Sequence, residues 1–237
     1  MNKPEAPQTP PVLNDGADLP PATRRRPGRP RANELQGEGL REAVIAAAAR
    51  VYAVHGYRDA SVELIAQAAG ISRPLFYRLF KDRREVIDVV VGRANDALRA
   101  MVLQAMLPHG RLLPMLSAAI DAYFEWCRHY AAIAGSIYRE LHDPESPASV
   151  HRTLITADLA ALVKAKAQEQ GRASLHPLML DTLICAIEHV GSRSFWPQPL
   201  PDQELARHRA VIRRIALAAV AGEADQGDVP GLETVRD

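Results

Sequence analysis

Residues 61–87 read SVELIAQAAGISRPLFYRLFKDRREVI, and this stretch decides the fold. Ser61 is a helix N-cap residue, and Glu63 sits in the positive first turn of the helix it opens. Val62, Ile65, Ala66 and Ala69 form that helix's apolar stripe. Gly70 permits a turn through positive φ. Ser72 then opens a third helix that carries Phe76 and Phe80 on one side. Pro74 is tolerated in its first turn, where no backbone donor is needed. Asp82 with Glu85 reads as a capping box that starts a fourth helix. Two helices of about nine residues meeting at a glycine turn are the pattern of a helix-turn-helix. Ala66, Ala68 and Ala69 are small enough to let the two helices approach closely. Neither is long enough to stand alone, so both need a floor of neighbouring helices.

Upstream, helical patterning starts near Leu40. Ile45, Ala48, Ala49 and Tyr52 repeat at i, i+3, i+4 and i+7, and Gly56 suits a C-terminal stop. Residues 1–37 contain eight prolines and few apolar groups, a composition expected of a flexible tail. Arg24, Arg25, Arg26, Arg29 and Arg31 lie in it. One reading is a solubilising basic tail. The other is an arm for an A·T-rich minor groove, since its Gly-Arg-Pro centre resembles the AT-hook pattern. The chain's net charge of +1 is unevenly placed. Residues 24–88 carry 13 Lys/Arg against 8 Asp/Glu, which points an anionic partner at this segment.

From about Val44 to Val90 the chain resembles the DNA-binding domain of the TetR family of one-component regulators. The residues that carry the resemblance are Gly56-Tyr57, Ser61-Val62, Ile65-Ala66, Ala69-Gly70-Ile71-Ser72, Phe76-Tyr77, Phe80-Lys81 and Glu85. It implies that the helix after Ser72 is a recognition helix. Ser72 is expected to cap it and leave its N-terminus open to phosphate. Arg73, Pro74 and Tyr77 project away from the Phe76/Phe80 face, with Arg73 placed for a guanine edge or a phosphate. Tyr77 and Lys81 match family positions that touch the DNA backbone or a base. Ser61 and the N–H groups after it are placed for a second phosphate. Arg78 is either a DNA contact or a solvated charge. Leu75 and Leu79 depart from the family pattern, where polar or ring side chains are frequent. Leu75 is placed to touch a thymine methyl, and Leu79 to add core.

The rest reads as helix after helix. Breaks fall at Pro108-His109-Gly110, Arg128–Tyr130, Asp143–Pro147, Gly171–Pro177 and Pro197–Pro201. The expected class is all-α with about nine helices. The expected order is a basic tail at 1–37, a helix-turn-helix domain at 38–88, a helical ligand-binding and dimerisation domain at 89–222, and a polar tail at 223–237. Alanine is the commonest residue, with 39 copies, and aromatics are only 5%, which argues against a β-sandwich or barrel. Cys127 and Cys185 are too few and too far apart for a disulfide framework. No apolar run is long enough to span a bilayer, and the N-terminus lacks a signal-peptide core, so a cytoplasmic protein is expected.

In the resembled family the second domain forms a ligand cavity and a dimer interface made by its last two long helices. Here those are about 177–196 and 202–221. Leu180, Leu183, Ile184, Ile187 and Gly191 form one stripe, and Met179, Ala186 and Val190 a second apolar face. Leu205, Ile212, Ile215, Ala216 and Ala219 form the stripe of the last helix. Tyr123, Cys127 and Tyr130 share a face at i, i+4 and i+7. With Tyr138 and His189 they are candidate ligand contacts, the alternative being plain core. His142 and His151 are further polar candidates, better read as satisfied or exposed. Cys185 and His189 lie one turn apart, but two ligands make no metal site, and neither metal nor cofactor is expected. A helical enzyme would need a nucleophile with a base, or paired carboxylates; no Gly-rich phosphate loop, HExxH or G-x-S-x-G occurs. The expectation is a dimeric, ligand-responsive transcriptional repressor of a palindromic operator, released by a small, largely apolar molecule. The alternative is an architectural or activating DNA-binding protein without an effector.

Overall fold

The structure, a computed structural model, describes residues 37–172, 175–221 and Asp225. Among them there are nine helices and no strand. The N-terminal basic arm, Arg24 to Arg31, and nearly all of the C-terminal tail lie outside the described residues. In chain order the helices are α1 Glu38–Asp59, α2 Val62–Ala68, α3 Arg73–Leu79, α4 Arg83–Met106, α5 Leu112–His129, α6 Ala131–Glu140, α7 Pro147–Glu169, α8 Pro177–Phe195 and α9 Asp202–Val220. Every expected break falls between helices, and none of the helices is long and apolar enough to cross a membrane.

α1 to α3 and the start of α4 close on one core. Ile45, Ala48, Ala49 and Tyr52 of α1 meet Ile65 of α2 and Phe76 and Phe80 around α3, all buried. Tyr52, Phe76 and Ile65 are fully excluded from solvent. Ala66 is buried and Ala69 half-buried, but Ala68 faces water and takes no part in the close approach. The turn after α2 is a Schellman motif: Gly70 has φ 67°, its N–H donates to Gln67 O, and the Ile71 N–H donates to Ala66 O at 2.9 Å.

α4 runs unbroken from this head into the body and packs on α1, α5 and α7. α5 packs on α4, α8 and α9, and α6 lies across α1. The Asp82 side chain accepts the Glu85 N–H at 2.9 Å, as a capping residue should. The return bond differs from the expected box, because the Glu85 carboxylate accepts from the Lys81 N–H at 2.6 Å. Gly56 does not end α1. It kinks the helix at φ 69°, and one more turn follows to Asp59.

Candidate DNA-reading face and ligand cavity

Each side chain of α3 is placed by the Phe76/Phe80 anchor on its inner side. With those rings buried, Arg73, Pro74, Tyr77 and Arg78 turn outward, and Tyr77 is 49% exposed. Lys81 follows at the end of the same exposed surface. Leu75 is half-buried, and Leu79 packs against the core. Ser61 Oγ accepts the Leu64 N–H at 3.2 Å and so caps α2. Ser72 stands at the cap position of α3 in extended backbone, but its hydroxyl makes no cap hydrogen bond. Pro74 removes the second N–H of the helix as a partner for the cap, while the third, on Leu75, keeps its N–H but gives no bond to the Ser72 hydroxyl. Arg73 is not free in this state, since it pairs with Glu63 of α2 at 2.6 Å.

Two arginines that hold this head together are not evident from residue spacing. Arg83 donates to Arg58 O and Ala60 O at 2.7 and 2.8 Å, covering carbonyls at the end of α1. It also lies 4.9 Å from the Tyr57 ring. Arg93 grips Glu42 with both terminal nitrogens, tying α4 to α1.

The body is hollow. A cavity of about 110 Å³ lies between α4, α5, α7, α8 and α9, walled by Leu98, Val102, Leu116, Ile155, Leu183 and Ile187 among others. Its few polar edges are Tyr123, Thr156 and Glu188. A smaller void of about 40 Å³ adjoins it and shares Leu98, Tyr123, Ile155 and Glu188 as walls. Cys127, Tyr138 and Arg152 border this second void, together with residues of α6. A void this apolar stays dry and suits an apolar guest.

Three of the five expected contacts therefore meet around the cavities: Tyr123, Cys127 and Tyr138. Tyr130 does not join them. Its N–H still donates to Trp126 O at 2.9 Å, and its ring stacks on Trp126, which in turn stacks on Tyr123, so the face is shared but Tyr130 borders neither void. His189 is exposed and faces outward, bonded through Nδ1 to the Tyr138 hydroxyl at 3.0 Å. His151 sits against Asp88, 3.0 Å away. Cys185 lies beside Arg152, and no group of three metal-ligating side chains occurs among the described residues.

The charged edge of the cavity goes beyond what residue spacing predicts. Arg152 of α7 and Glu188 of α8 form an ion pair at 3.0 Å, with side chains only 14% and 16% exposed. Burial lifts the Glu188 carboxyl above its ordinary range, against the pull of Arg152. Burial also pushes the Cys127 thiol up to about 12, so it is a neutral and unreactive wall group. Tyr123 is raised well above the ordinary phenol value by the same burial and remains a hydrogen-bonding hydroxyl. Sequence alone offers one faint signal: Arg152 and Glu188 are charges on helix faces that are otherwise apolar.

The apolar stripes of α8 and α9 divide between inward and outward positions. Leu180, Leu183, Ile184 and Ile187 turn inward to the cavity, and Gly191 packs under Tyr123. Ile212 and Ala216 of α9 are buried, whereas Ile215 is 50% exposed. The outward apolar groups on this side are Leu178, Val211 and Ile215.

Residues 44–90 match the family described as bacterial regulatory proteins, tetR family. This segment of the chain thus matches the DNA-binding domain of that family. The chain is similar to the HTH-type transcriptional activator FasR of Mycolicibacterium smegmatis, 33% identical over 102 residues, 43% of this chain and 47% of FasR. It is likewise similar to the HTH-type transcriptional repressor BepR of Brucella suis, 29% identical over 96 residues, 40% of this chain and 46% of BepR. The chain thus matches about half the length of these curated relatives. The overall fold is shared with the transcriptional regulator FadR of Bacillus subtilis, whose structure was solved in complex with stearoyl-CoA. That likeness has a TM-score of 0.62 at 15% identity and covers 76% of this chain and 99% of FadR.

Proposed function

We propose that this chain is a ligand-responsive transcriptional regulator of the TetR family that binds a palindromic operator as a homodimer. The observation that carries the reading is the pairing of two features on one continuous helix. α4 begins just after α3, with Val86 and Ile87 in the same buried core as Phe76 and Phe80, and ends along the wall of the cavity. In this reading Arg73, Pro74, Leu75, Tyr77 and Arg78 face the major groove. Ser61, Ser72 and Lys81 hold phosphates, which position the head while base contacts specify sequence. Arg73 leaves Glu63 when it meets DNA. The arginines at 24–31 supply a minor-groove arm. The head spans 38–88 and the effector and dimer domain 89–222, and the protein works in the cytoplasm, beside its DNA.

The effector is a long-chain acyl compound. The cavity walls are almost wholly apolar, and the charged pair at Arg152 and Glu188 is already self-neutralised, so the buried part of the ligand is uncharged. FadR, bound to stearoyl-CoA, has the same architecture and supports this class. A chain of that length exceeds the free volume, so its entry moves the walls. DNA release then follows from differential affinity for the two arrangements. The dimer forms through the outward faces of α8 and α9, which carry Leu178, Val211 and Ile215. It sets two recognition helices about 34 Å apart. Repression is the leading sign of regulation. The match to FasR, named an activator, is the observation that favours activation.

Selection of genomic fragments on the purified protein at physiological salt, followed by sequencing, tests the reading. The expected product is one palindrome whose binding stearoyl-CoA weakens. Recovery of A·T-rich DNA with no palindrome, indifferent to stearoyl-CoA, would mean an architectural binder. Deleting residues 1–36 should lower the salt slope of binding by about 0.9 for each phosphate that the arm neutralises. An unchanged slope would make the arm a bystander.

A further inference from the structure

The kink of α1 at Gly56 is bracketed by two side chains one turn apart on α6. Before the kink, Ser136 Oγ lies 3.1 Å from both Tyr52 O and Ala53 O, and donates to them. After it, the Tyr57 N–H donates to Glu140 Oε1 at 2.6 Å. The other carboxylate oxygen, Oε2, accepts from the Tyr52 hydroxyl at 2.9 Å and from Ser146 Oγ at 2.7 Å. One carboxylate therefore joins the head, through Tyr52 and Tyr57, to the start of α7, through Ser146. The fit is close: a Cβ at residue 56 would stand 2.7 Å from Glu140 Oε1, and the φ of 69° there disfavours any side chain.

The opposite side of α6 is cavity wall. Ala134, Gly135, Ile137, Tyr138 and Leu141 line the smaller void. Gly135 is held against Trp196, where an added Cβ would stand 2.3 Å from Cδ1. The same short helix thus touches the void with one face and grips the kink of α1 with the other. α4 is one link between cavity and head, and α6 is a second that needs no chain continuity.

We propose that Glu140 is a positioning residue that transmits displacement of α6 at the cavity to the angle of the DNA-reading head, a role that rests on the regulator reading above. A ligand that fills the smaller void pushes α6. Because Glu140 holds the Tyr57 amide and the Tyr52 hydroxyl directly, the kink follows. With the carboxylate removed, α6 moves without carrying the head.

A double-mutant cycle on the full-length dimer tests this without a ligand. Gly135→Ala displaces α6 from the cavity side, since the exposed edge of Trp196 can only partly yield. It is combined with Glu140→Ala and, as a milder partner that keeps the core filled, with Tyr52→Phe. The readouts are affinity for the selected operator fragment and hydrogen exchange of the Tyr57 amide. Gly135→Ala should weaken operator binding about tenfold in the otherwise wild-type chain, within the usual range of coupling. It should change binding less than twofold beside Glu140→Ala, with Tyr52→Phe between. Exchange at Tyr57 should speed up in both Glu140→Ala and Gly135→Ala. Equal weakening with and without Glu140, or no weakening by Gly135→Ala, would overturn the proposal. Failure of the regulator reading looks different. All variants would then bind operator and random duplex alike while exchange still tracked Glu140, and the coupling role would fall with that reading.

Discussion

The head and the body of this chain are built from the same material, amphipathic helices rich in alanine and leucine, yet they use their apolar faces in opposite ways. In the head, Ile45, Tyr52, Ile65, Phe76 and Phe80 belong to one buried core, and the proposed function lies outward, on exposed side chains such as Tyr77 and Lys81. In the body, Leu98, Leu116, Ile155, Leu183 and Ile187 line a cavity, and the proposed function lies inward. A sealed core gives a rigid platform for reading DNA. A hollow one keeps a set of walls that a guest can rearrange. Rigid platform and yielding vessel meet along α4 and at the Glu140 contact.

The contrast is sharpest in what a deleted side chain should cost. Phe76 is fully buried in the core of the head, so Phe76→Ala should destabilise the protein by about 3–5 kcal/mol. Chemical denaturation reads this directly, and operator binding should vanish with it. A cost below about 1 kcal/mol would mean that the head is not the close-packed unit it is taken for. Leu183 already faces the cavity, so Leu183→Ala removes less packing and should cost about 2 kcal/mol or less. The complementary Leu183→Trp should instead fill the void and block stearoyl-CoA. If Leu183→Ala proved as costly as Phe76→Ala, the two regions would not differ in kind.

On the surface of the head the expected effects are smaller and fall on binding alone. Tyr77→Ala and Lys81→Ala should each weaken operator binding about tenfold, roughly 1.4 kcal/mol, with the unfolding midpoint unchanged. Both side chains are exposed, so little packing is removed. Operator affinity equal to wild type in both variants would remove α3 from the reading face.

This division also decides what could be read in the sequence. Residues 61–87 are legible because every step is local. A cap at Ser61, a positive-φ glycine at Gly70 and an i, i+4 pair at Phe76 and Phe80 act within a few residues of one another. Local rules also locate the helix breaks after α4, whereas the stop expected at Gly56 is a kink inside α1. The cavity is different, because its walls come from five helices and its charged edge joins residues 152 and 188. Helical periodicity says that Leu183 and Ile187 share a face, but not whether that face meets a partner helix, a second subunit or a void. Tyr130 shares its face with Tyr123 and Trp126, as the period says, yet borders neither void, because periodicity does not tell how far along a helix a void extends. Ser72 stands at the cap position but makes no side-chain cap bond, and Pro74 leaves it only the Leu75 N–H as a partner. Glu140 carries no local signal, since its three donors lie at residues 52, 57 and 146.

The smallest effect tests the seam between the two regions. Arg58, in the last turn of α1, pairs with Asp143 beyond α6 at 2.9 Å. The hydrogen bond from Arg58, with help from the Glu145 N–H, holds the Asp143 carboxyl below its ordinary value of 3.8. A carboxyl whose folded value is depressed adds stability above its unfolded pKa, and that stability is lost as pH falls through the folded value. Asp143→Asn should therefore be slightly less stable than wild type at pH 7. The difference should close below the folded pKa of Asp143, where wild type is protonated and no longer paired. Because the Arg58 guanidinium is largely exposed, solvent screens the pair, and added salt should shrink the difference at pH 7 as well. Unfolding curves at pH 7 and in strong acid, each at low and high salt, measure all of this. A gap that persisted unchanged in acid would mean that the Asp143→Asn substitution disturbs the α6–α7 turn itself, where the Asp143 side chain also accepts from the Glu145 N–H. The seam would then be held by the Glu140 contacts without help from charge.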